Sequence, residues 1–193
     1  MLSVLRRLGA DLNATNKFGY TPVYPACFNN HSETVRVLHV FGADIDNPNE
    51  NGKTPCMLAA MKGHIEIIHT LHKLGADVNL INKGSQGFTP CCFAALGGRS
   101  HAIQTLHDLG ADVNLPDKTG ATPAFLAARK GHIESIKTLH ALGADINKAN
   151  KWVSRTCSLR TIPDVHPTIV ANLSLPTRVS PHVTRRPVAV TTM

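Results

Sequence analysis

The sequence has few aromatic residues, few charges and no long apolar run. Aromatic residues make up 5% and charged residues 17% of the 193 positions, whereas 42% are hydrophobic. That apolar fraction is too high for a chain disordered throughout and is enough for a core. No apolar run approaches the ~18 residues of a membrane span, and the first residues lack the order of a secretory signal peptide. We therefore expect no membrane span and a cytoplasmic or, alternatively, nuclear location.

Paired cysteine spacings are also missing. The five cysteines are an odd count, and without a secretory signal we expect reduced thiols rather than disulfides. Cys56 and Cys91 hold equivalent places directly after Thr-Pro, so they could form a redox or metal pair or be small buried apolar residues. The second interpretation is favoured because free cysteine is usually buried.

The charge is distributed unevenly along the chain. Residues 1–150 hold 14 Lys and Arg against 12 Asp and Glu, whereas residues 151–193 hold six Lys and Arg against one Asp. The second segment shows no helical periodicity and is interrupted by five prolines, at Pro163, Pro167, Pro176, Pro181 and Pro187. We interpret residues 151–193 as a disordered basic tail, so the net charge of +7 says little about the folded part.

Two short motifs recur at one period. The steps between copies are 33, 33, 35 and 33 residues for Gly-Ala-Asp, and 33, 35 and 33 residues for Thr-Pro. Both motifs show the same two-residue insertion, which chance does not explain, so the chain is an array of structural repeats. Gly-Ala-Asp begins at Gly9, Gly42, Gly75, Gly110 and Gly143, and Thr-Pro begins at Thr21, Thr54, Thr89 and Thr122.

One period predicts a helix, a tight turn, a second helix and a loop. Thr54 is a good N-cap, and Pro55 suits the first helical position. Gly63 predicts a left-handed C-cap, an apolar stripe predicts a second helix at about residues 65–74, and Gly75 ends that helix. Such short helices cannot bury their apolar faces alone, so neighbouring repeats must stack.

These motifs resemble the ankyrin repeat: Gly-x-Thr-Pro, Ala-Ala-x-x-Gly-His and Leu-x-x-Gly-Ala-Asp-Val-Asn at a period of 33. The resemblance implies an all-α solenoid of stacked helix-turn-helix repeats with β-hairpin-like loops over residues 1–150. It implies full repeats at 16–48, 49–81, 82–116 and 117–149, preceded by a half repeat at 2–15. The insertion falls in residues 82–87, at the tip of a loop.

Some positions depart from the ankyrin pattern. The family usually carries His after Thr-Pro-Leu, and this chain has Tyr24, Met57, Cys92 and Phe125 there. We expect the capping hydrogen bond of that His to be lost and replaced by apolar packing. Asn30 replaces the glycine between the helices, which Asn tolerates because it adopts left-handed backbone readily. The first repeat should be the loosest of the four.

The ends of the pattern suggest a further hypothesis. The array begins inside a second helix, and the repeat pattern stops after Asn150. Because solenoids need polar capping repeats, the sequence could be a fragment of a longer array or a gene model misread near Asn150.

A histidine recurs at one place in every second helix. Three interpretations are open: a metal column, a pH sensor, or partly buried side chains with backbone or water partners. The third is favoured, because packed helices lie about 8–10 Å apart and no thiolate or carboxylate recurs beside the histidines. This ladder comprises His39, His72, His107 and His140.

No catalytic motif occurs in the sequence. There is no Walker-type phosphate loop, dinucleotide fingerprint, His-Glu-x-x-His or Gly-x-Ser-x-Gly. We therefore predict no enzymatic activity, no cofactor, no metal and no small-molecule substrate.

The loop tips and first-helix faces vary most between repeats, and a solenoid exposes them along one edge. We therefore predict a protein–protein interaction module or scaffold, acting as a monomer on a protein partner. The alternatives are that Phe18 and Phe88 cover neighbouring loops and that Arg129 and Lys130 form a solvated face. The candidate binding residues are Phe18, Tyr20, Glu50, Asn51, Lys53, Gln86, Phe88, Lys118, Thr119, Arg129 and Lys130.

The basic tail supports one rival function. Arg178, Arg185 and Arg186 could contact nucleic acid or an anionic surface, with Trp152 as the tail's one aromatic residue. Six basic residues in 43 make this case weak, so nucleic acid is not the expected partner.

Overall fold

The computed structural model describes residues 9–146 and 148. These residues form eight α-helices and no β-strand, which confirms the all-α prediction. The expected tail at 151–193, with Cys157 and Trp152, lies outside the described residues, as do residues 2–8 of the expected half repeat at 2–15. The helices are α1 Val23–Phe28, α2 Ser32–Val40, α3 Pro55–Lys62, α4 Ile65–Lys73, α5 Pro90–Leu96, α6 Ser100–Asp108, α7 Pro123–Lys130 and α8 Ile133–Ala141.

The helices form four antiparallel pairs stacked in two layers. The first helices α1, α3, α5 and α7 pack in chain order, and so do the second helices α2, α4, α6 and α8. The main core lies between the layers and combines branched residues of the second helices with alanines of the first. The alanines, for example Ala59 and Ala60, are fully buried and allow neighbouring first helices to approach closely.

Three of the first helices begin with the predicted threonine cap. The Oγ1 atoms of Thr54, Thr89 and Thr122 accept hydrogen bonds from backbone N–H groups three residues later, at 3.4, 3.2 and 3.3 Å. α1 differs, because Pro22 is its N-cap residue and the buried Oγ1 of Thr21 has no hydrogen-bond partner. α1 has six residues, so the first repeat has the shortest and least capped first helix of the four.

The turns within and after the pairs follow the glycine pattern. Gly63 and Gly131 end α3 and α7 in left-handed conformation, and Asn30 takes that conformation after α1 at φ 59°. α4 ends at Lys73, one residue before the predicted end. Gly75, two residues later, has left-handed backbone, and its N–H donates to the carbonyl of His72. These turns fix each second helix against its first helix.

Asparagine side chains connect successive repeats on the side where the second helices end. The Nδ2 atom of Asn79 donates to the carbonyl of Gly110 at 2.9 Å, and its Oδ1 accepts from the N–H of Asp112 at 2.8 Å. Asn13, two repeats earlier, and Asn114, one repeat later, make the same pair of bonds. Asp46 occupies the equivalent place one repeat before Asn79, in the loop that follows α2.

Candidate protein-binding surface

Four short loops project from the N-terminal ends of the first helices, and we call them fingers 1 to 4. They comprise residues 16–20, 49–53, 82–88 and 117–121. Each is closed by one backbone bond between its first and last residues, such as that from Asn49 N–H to the Lys53 carbonyl at 2.9 Å. Within the described residues, the fingers are therefore hairpin-like loops that contain no β-strand.

A side-chain carboxyl or amide oxygen inside each finger holds the tip. The Oδ1 of Asn16 accepts from the N–H groups of Phe18 and Tyr20 at 2.9 and 3.1 Å. Asn49 and Asp117 bind their own tips in the same way. The tips are therefore fixed by local bonds, and the exposed side chains on them are presented at defined positions.

Neighbouring fingers also contact one another. The N–H of Glu50 donates to the Phe18 carbonyl at 3.4 Å, and the N–H of Lys118 donates to the Gln86 carbonyl at 2.9 Å. The Lys118 ammonium donates to the carbonyl of Gly84 at 2.9 Å. The two-residue insertion lies within finger 3 and leaves the helical core undisturbed, as the sequence predicts.

A groove runs between the fingers and the first helices, and we call it the finger-side groove. Its N-terminal section has a volume of about 820 Å³ and lies between α1, α3 and the first two fingers. Its central section has about 650 Å³ and lies between α3, α5 and fingers 2 and 3. Lys53 and Met61 line both sections, so the two adjoin.

The N-terminal section carries most of the exposed aromatic surface. Tyr20 is 39% exposed and Phe28 49% exposed, and both line this section. Phe18 is 52% exposed and its ring lies 6.1 Å from that of Tyr20, which in turn lies 4.9 Å from the ring of Tyr24. Pro25 adds to the apolar wall.

Lysine side chains lie against several of these rings. The Lys62 ammonium is 4.2 Å from the centre of the Phe28 ring, and the Lys17 ammonium is 5.0 Å from that of Phe18. Lys53 is 5.2 Å from the ring centre of Phe93. The groove therefore combines an apolar floor with cations held at its edges.

Most of the predicted binding residues are accessible. Lys53 and Thr119 are half-buried, and the Thr119 hydroxyl donates to Asp117 Oδ1 at 2.6 Å within its own finger. Arg129 and Lys130 end α7, where Arg129 holds the place of Met61 and Leu96 in the preceding pairs. The exposed ones are Phe18, Tyr20, Glu50, Asn51, Gln86, Lys118, Arg129 and Lys130.

Phe88 requires a correction. It was expected as an exposed contact residue, but only 8% of it is exposed, and its ring packs edge-on against Phe93 at 5.5 Å. The reason is a second apolar cluster at the base of the fingers, to which Met57, Cys92 and Phe125 belong. Those three residues replace the family's usual histidine, and Phe88 fills the apolar space between them. Phe88 stabilises finger 3 from below.

A second expectation, that the hydrogen bond of the family's usual histidine is lost, is wrong at Tyr24. The Tyr24 hydroxyl accepts from the N–H of Asn49 at 2.9 Å and donates to the carbonyl of Lys53. It thereby joins α1 to finger 2. Burial raises the pKa of this hydroxyl well above its usual range.

Phe28, Met61 and Lys62 were missed by sequence reasoning. They lie at the C-terminal ends of α1 and α3 and line the N-terminal section of the groove. The signal was available, because aligning the repeats places Phe28, Met61, Leu96 and Arg129 at one variable position.

The histidine ladder divides into two halves. His39 and His72 are half-buried with Nδ1 atoms that have no hydrogen-bond partner, whereas His107 and His140 are exposed. Within residues 9–146 and 148, no three His, Cys, Asp or Glu side chains are grouped so that they could hold a metal ion. His107 Nδ1 lies 3.5 Å from Asp108 Oδ1. Outside the ladder, His64 and His132 contact the carbonyls of Phe28 and Leu96, each at 3.0 Å.

The described cysteines are buried free thiols. Burial raises the pKa of Cys27 and Cys56 to about 12, and it also raises those of Cys91 and Cys92. Thiols with raised pKa values are poor nucleophiles and poor metal ligands at neutral pH. Cys56 and Cys91 therefore act as small apolar core residues.

Comparison with known proteins identifies the repeat. A family model described as ankyrin repeats in three copies matches residues 1–82 and again residues 74–150. None of the curated proteins compared with the chain matches it. Repeats of this family are generally protein–protein interaction modules and are typically non-catalytic. No helix in the described part of the chain is long and apolar enough to cross a membrane. Since the two matches span residues 1–150 and the stacked helix pairs agree with them, the chain belongs to the ankyrin repeat family.

Proposed function

We propose that this chain is a non-catalytic binding module that presents its finger-side groove to a partner protein, acting as a monomer in the cytoplasm or nucleus. The observation that carries the proposal is the aromatic surface of the N-terminal section. Tyr20 and Phe28 line it and the ring of Phe18 lies beside that of Tyr20, although the whole chain has only nine aromatic residues. Exposed aromatic clusters of this kind are typical anchors of protein interfaces.

The fixed geometry of the fingers supports a binding role. The tips are held by side-chain bonds to Asn16, Asn49 and Asp117 and by bonds between neighbouring fingers. A partner would then meet side chains that are already positioned, so little free energy would be spent on ordering them. Rigid presentation is the proposed mechanism.

Capture of proteins from native lysate with matched variants tests the proposal. In the test variant, Phe18→Ala/Tyr20→Ala removes two exposed anchors. In the control variant, Val40→Ala/Ile81→Ala removes two exposed apolar side chains that line neither section of the groove. We expect proteins retained by the wild type to be lost with the test variant and retained with the control.

Circular dichroism would establish that both variants keep their helices. If the same proteins are captured by the wild type and the Phe18→Ala/Tyr20→Ala variant, the fingers are not the binding surface and the proposal fails.

A further inference from the structure

The charges of this protein are sorted between its two faces. The four segments that contain the fingers and first helices, residues 16–30, 49–63, 82–98 and 117–131, hold seven Lys and Arg but only two acidic residues. The rest of the described chain, which carries the second helices, holds ten Asp and Glu against five Lys and Arg. The seven basic residues are Lys17, Lys53, Lys62, Lys83, Lys118, Arg129 and Lys130.

The two acidic residues do little to neutralise the basic side. Asp117 is buried, and its Oδ1 accepts hydrogen bonds inside finger 4. Glu50 is exposed and lines the central section of the groove, outside the N-terminal section. The ion pairs seen within the described residues lie on second helices, such as Lys137–Glu134 at 2.9 Å. The N-terminal section is therefore bordered by lysines without a carboxylate partner.

The lysines at this section are combined with an apolar floor. Lys53 and Lys62 line it together with Tyr20, Phe28 and Met61, and the Lys62 ammonium lies over the Phe28 ring at 4.2 Å. A ring attracts a cation but does not neutralise its charge. A ligand that fits must therefore bring negative charge for the edges and a large apolar group for the floor.

We propose that the N-terminal section of the finger-side groove binds an acidic peptide segment of a partner protein, with one aromatic or large aliphatic side chain on the floor and carboxylates at Lys53 and Lys62. This inference rests on the proposed function and adds the chemistry of the partner. Residues 151–193 do not fit the section, because they carry six basic residues and one acidic residue. A nucleic acid could stack a base on this floor, but its affinity depends on many phosphate contacts and only two lysines line the section.

Selection from a displayed library of random twelve-residue peptides on the full chain tests the proposal. We expect the selected peptides to be enriched in Asp and Glu around an aromatic residue or Leu. In fluorescence anisotropy, Lys53→Glu/Lys62→Glu should weaken binding of the best selected peptide about tenfold or more, because each attraction becomes a repulsion. The matched control Lys73→Glu/Lys148→Glu changes the net charge equally outside the groove and should leave binding within about twofold.

Three outcomes would overturn the acidic specificity: selection without acidic enrichment, an equal effect of both charge reversals, or a single-stranded oligonucleotide that binds as tightly as the peptide and displaces it. Self-association abolished by Lys53→Glu/Lys62→Glu would also overturn it, because the acidic second-helix face of another copy would then be the occupant. The first three outcomes leave the proposed binding role intact, whereas self-association would overturn the proposal that the chain acts as a monomer. The binding role itself fails only if capture from lysate survives Phe18→Ala/Tyr20→Ala.

Discussion

Asp46 is the weakest link between repeats in the described array. Where Asn13, Asn79 and Asn114 donate to a glycine carbonyl of the next repeat and accept from an Asp N–H, Asp46 only accepts, from the N–H of Asp77 at 3.3 Å. Its other oxygen, Oδ1, is buried without a partner. By register the equivalent acceptor is the carbonyl of Gly75. The Asp46 carboxylate has no N–H group to donate to it. We predict that Asp46→Asn stabilises the protein.

The expected gain has two parts. The new Nδ2 donor would supply the bond that Asn79 makes to Gly110 at 2.9 Å, and one such bond contributes about 0.5–1.5 kcal/mol. The substitution also removes a half-buried negative charge beside Asp44 and Asp77. We therefore expect the free energy of unfolding to rise by about 1–2 kcal/mol near neutral pH. The reciprocal change Asn79→Asp loses the same bond and should lower it by a similar amount.

The effect depends on pH in a defined direction. Burial raises the pKa of Asp46 above its usual value, with Asp44 and Asp77 adding to the shift. Between the unfolded pKa, about 3.9, and the raised folded pKa, the native state binds more protons than the unfolded state. Stability from this group is therefore greatest in acid and is lost as the pH rises through the folded pKa. The advantage of Asp46→Asn should be greatest near pH 7 and shrink towards about pH 4.

Urea unfolding of the full chain, followed by far-ultraviolet circular dichroism, measures these differences at both pH values. Asp44→Asn is the matched control, because Asp44 is exposed and its Oδ1 accepts from the N–H of Asp46, which an Asn can also do. The control should shift the midpoint little. An Asp46→Asn variant that is no more stable than the wild type at pH 7, or whose gain does not change with pH, would refute the reasoning.

Three further predictions follow from the caps and the core. Phe88→Ala should lower the free energy of unfolding by about 3 kcal/mol or more in a urea titration, as expected for a buried aromatic side chain; a change near zero would mean that the ring is exposed in solution. Thr122→Ala should cost about 0.5–2 kcal/mol, because Thr122 caps α7, whereas Thr21→Ala should cost less, because Thr21 caps no helix; equal losses in thermal unfolding would contradict the assigned caps. Cys56 and Cys91 should resist a thiol reagent in the native protein and react on unfolding, because both are buried with raised pKa values; rapid labelling without denaturant, read by mass spectrometry, would argue against this packing.

The fold was predictable because its signals are local and repeated. The threonine caps at Thr54, Thr89 and Thr122, the left-handed Gly63 and Asn30, and the alanines of the first helices each depend on a short stretch of sequence. Repetition of these signals in three or four repeats made the pattern secure. The predicted repeat boundaries and the half repeat at 2–15 stay predictions.

The candidate surface was less predictable because exposure depends on contacts between repeats. Phe18 and Phe88 both lie in fingers, yet Phe18 is 52% exposed and Phe88 8%. Phe88 packs against Phe93 of its own repeat, and part of the difference comes from residues 30 or more positions away, since the same cluster includes Met57 and Phe125. No single-repeat pattern contains that information.

The departures from the ankyrin pattern thus determine where this chain can bind. In the later pairs, Met57, Cys92 and Phe125 form an apolar base that draws Phe88 inward. In the first pair, Tyr24 makes polar bonds to finger 2 and lies outside that cluster. The aromatic residues around Tyr24, which are Tyr20 and Phe28, keep much of their surface exposed. The same replaced position therefore buries Phe88 in the middle of the array and leaves aromatic side chains exposed at the N-terminal section, whose lysines form no ion pair with a carboxylate within the described residues.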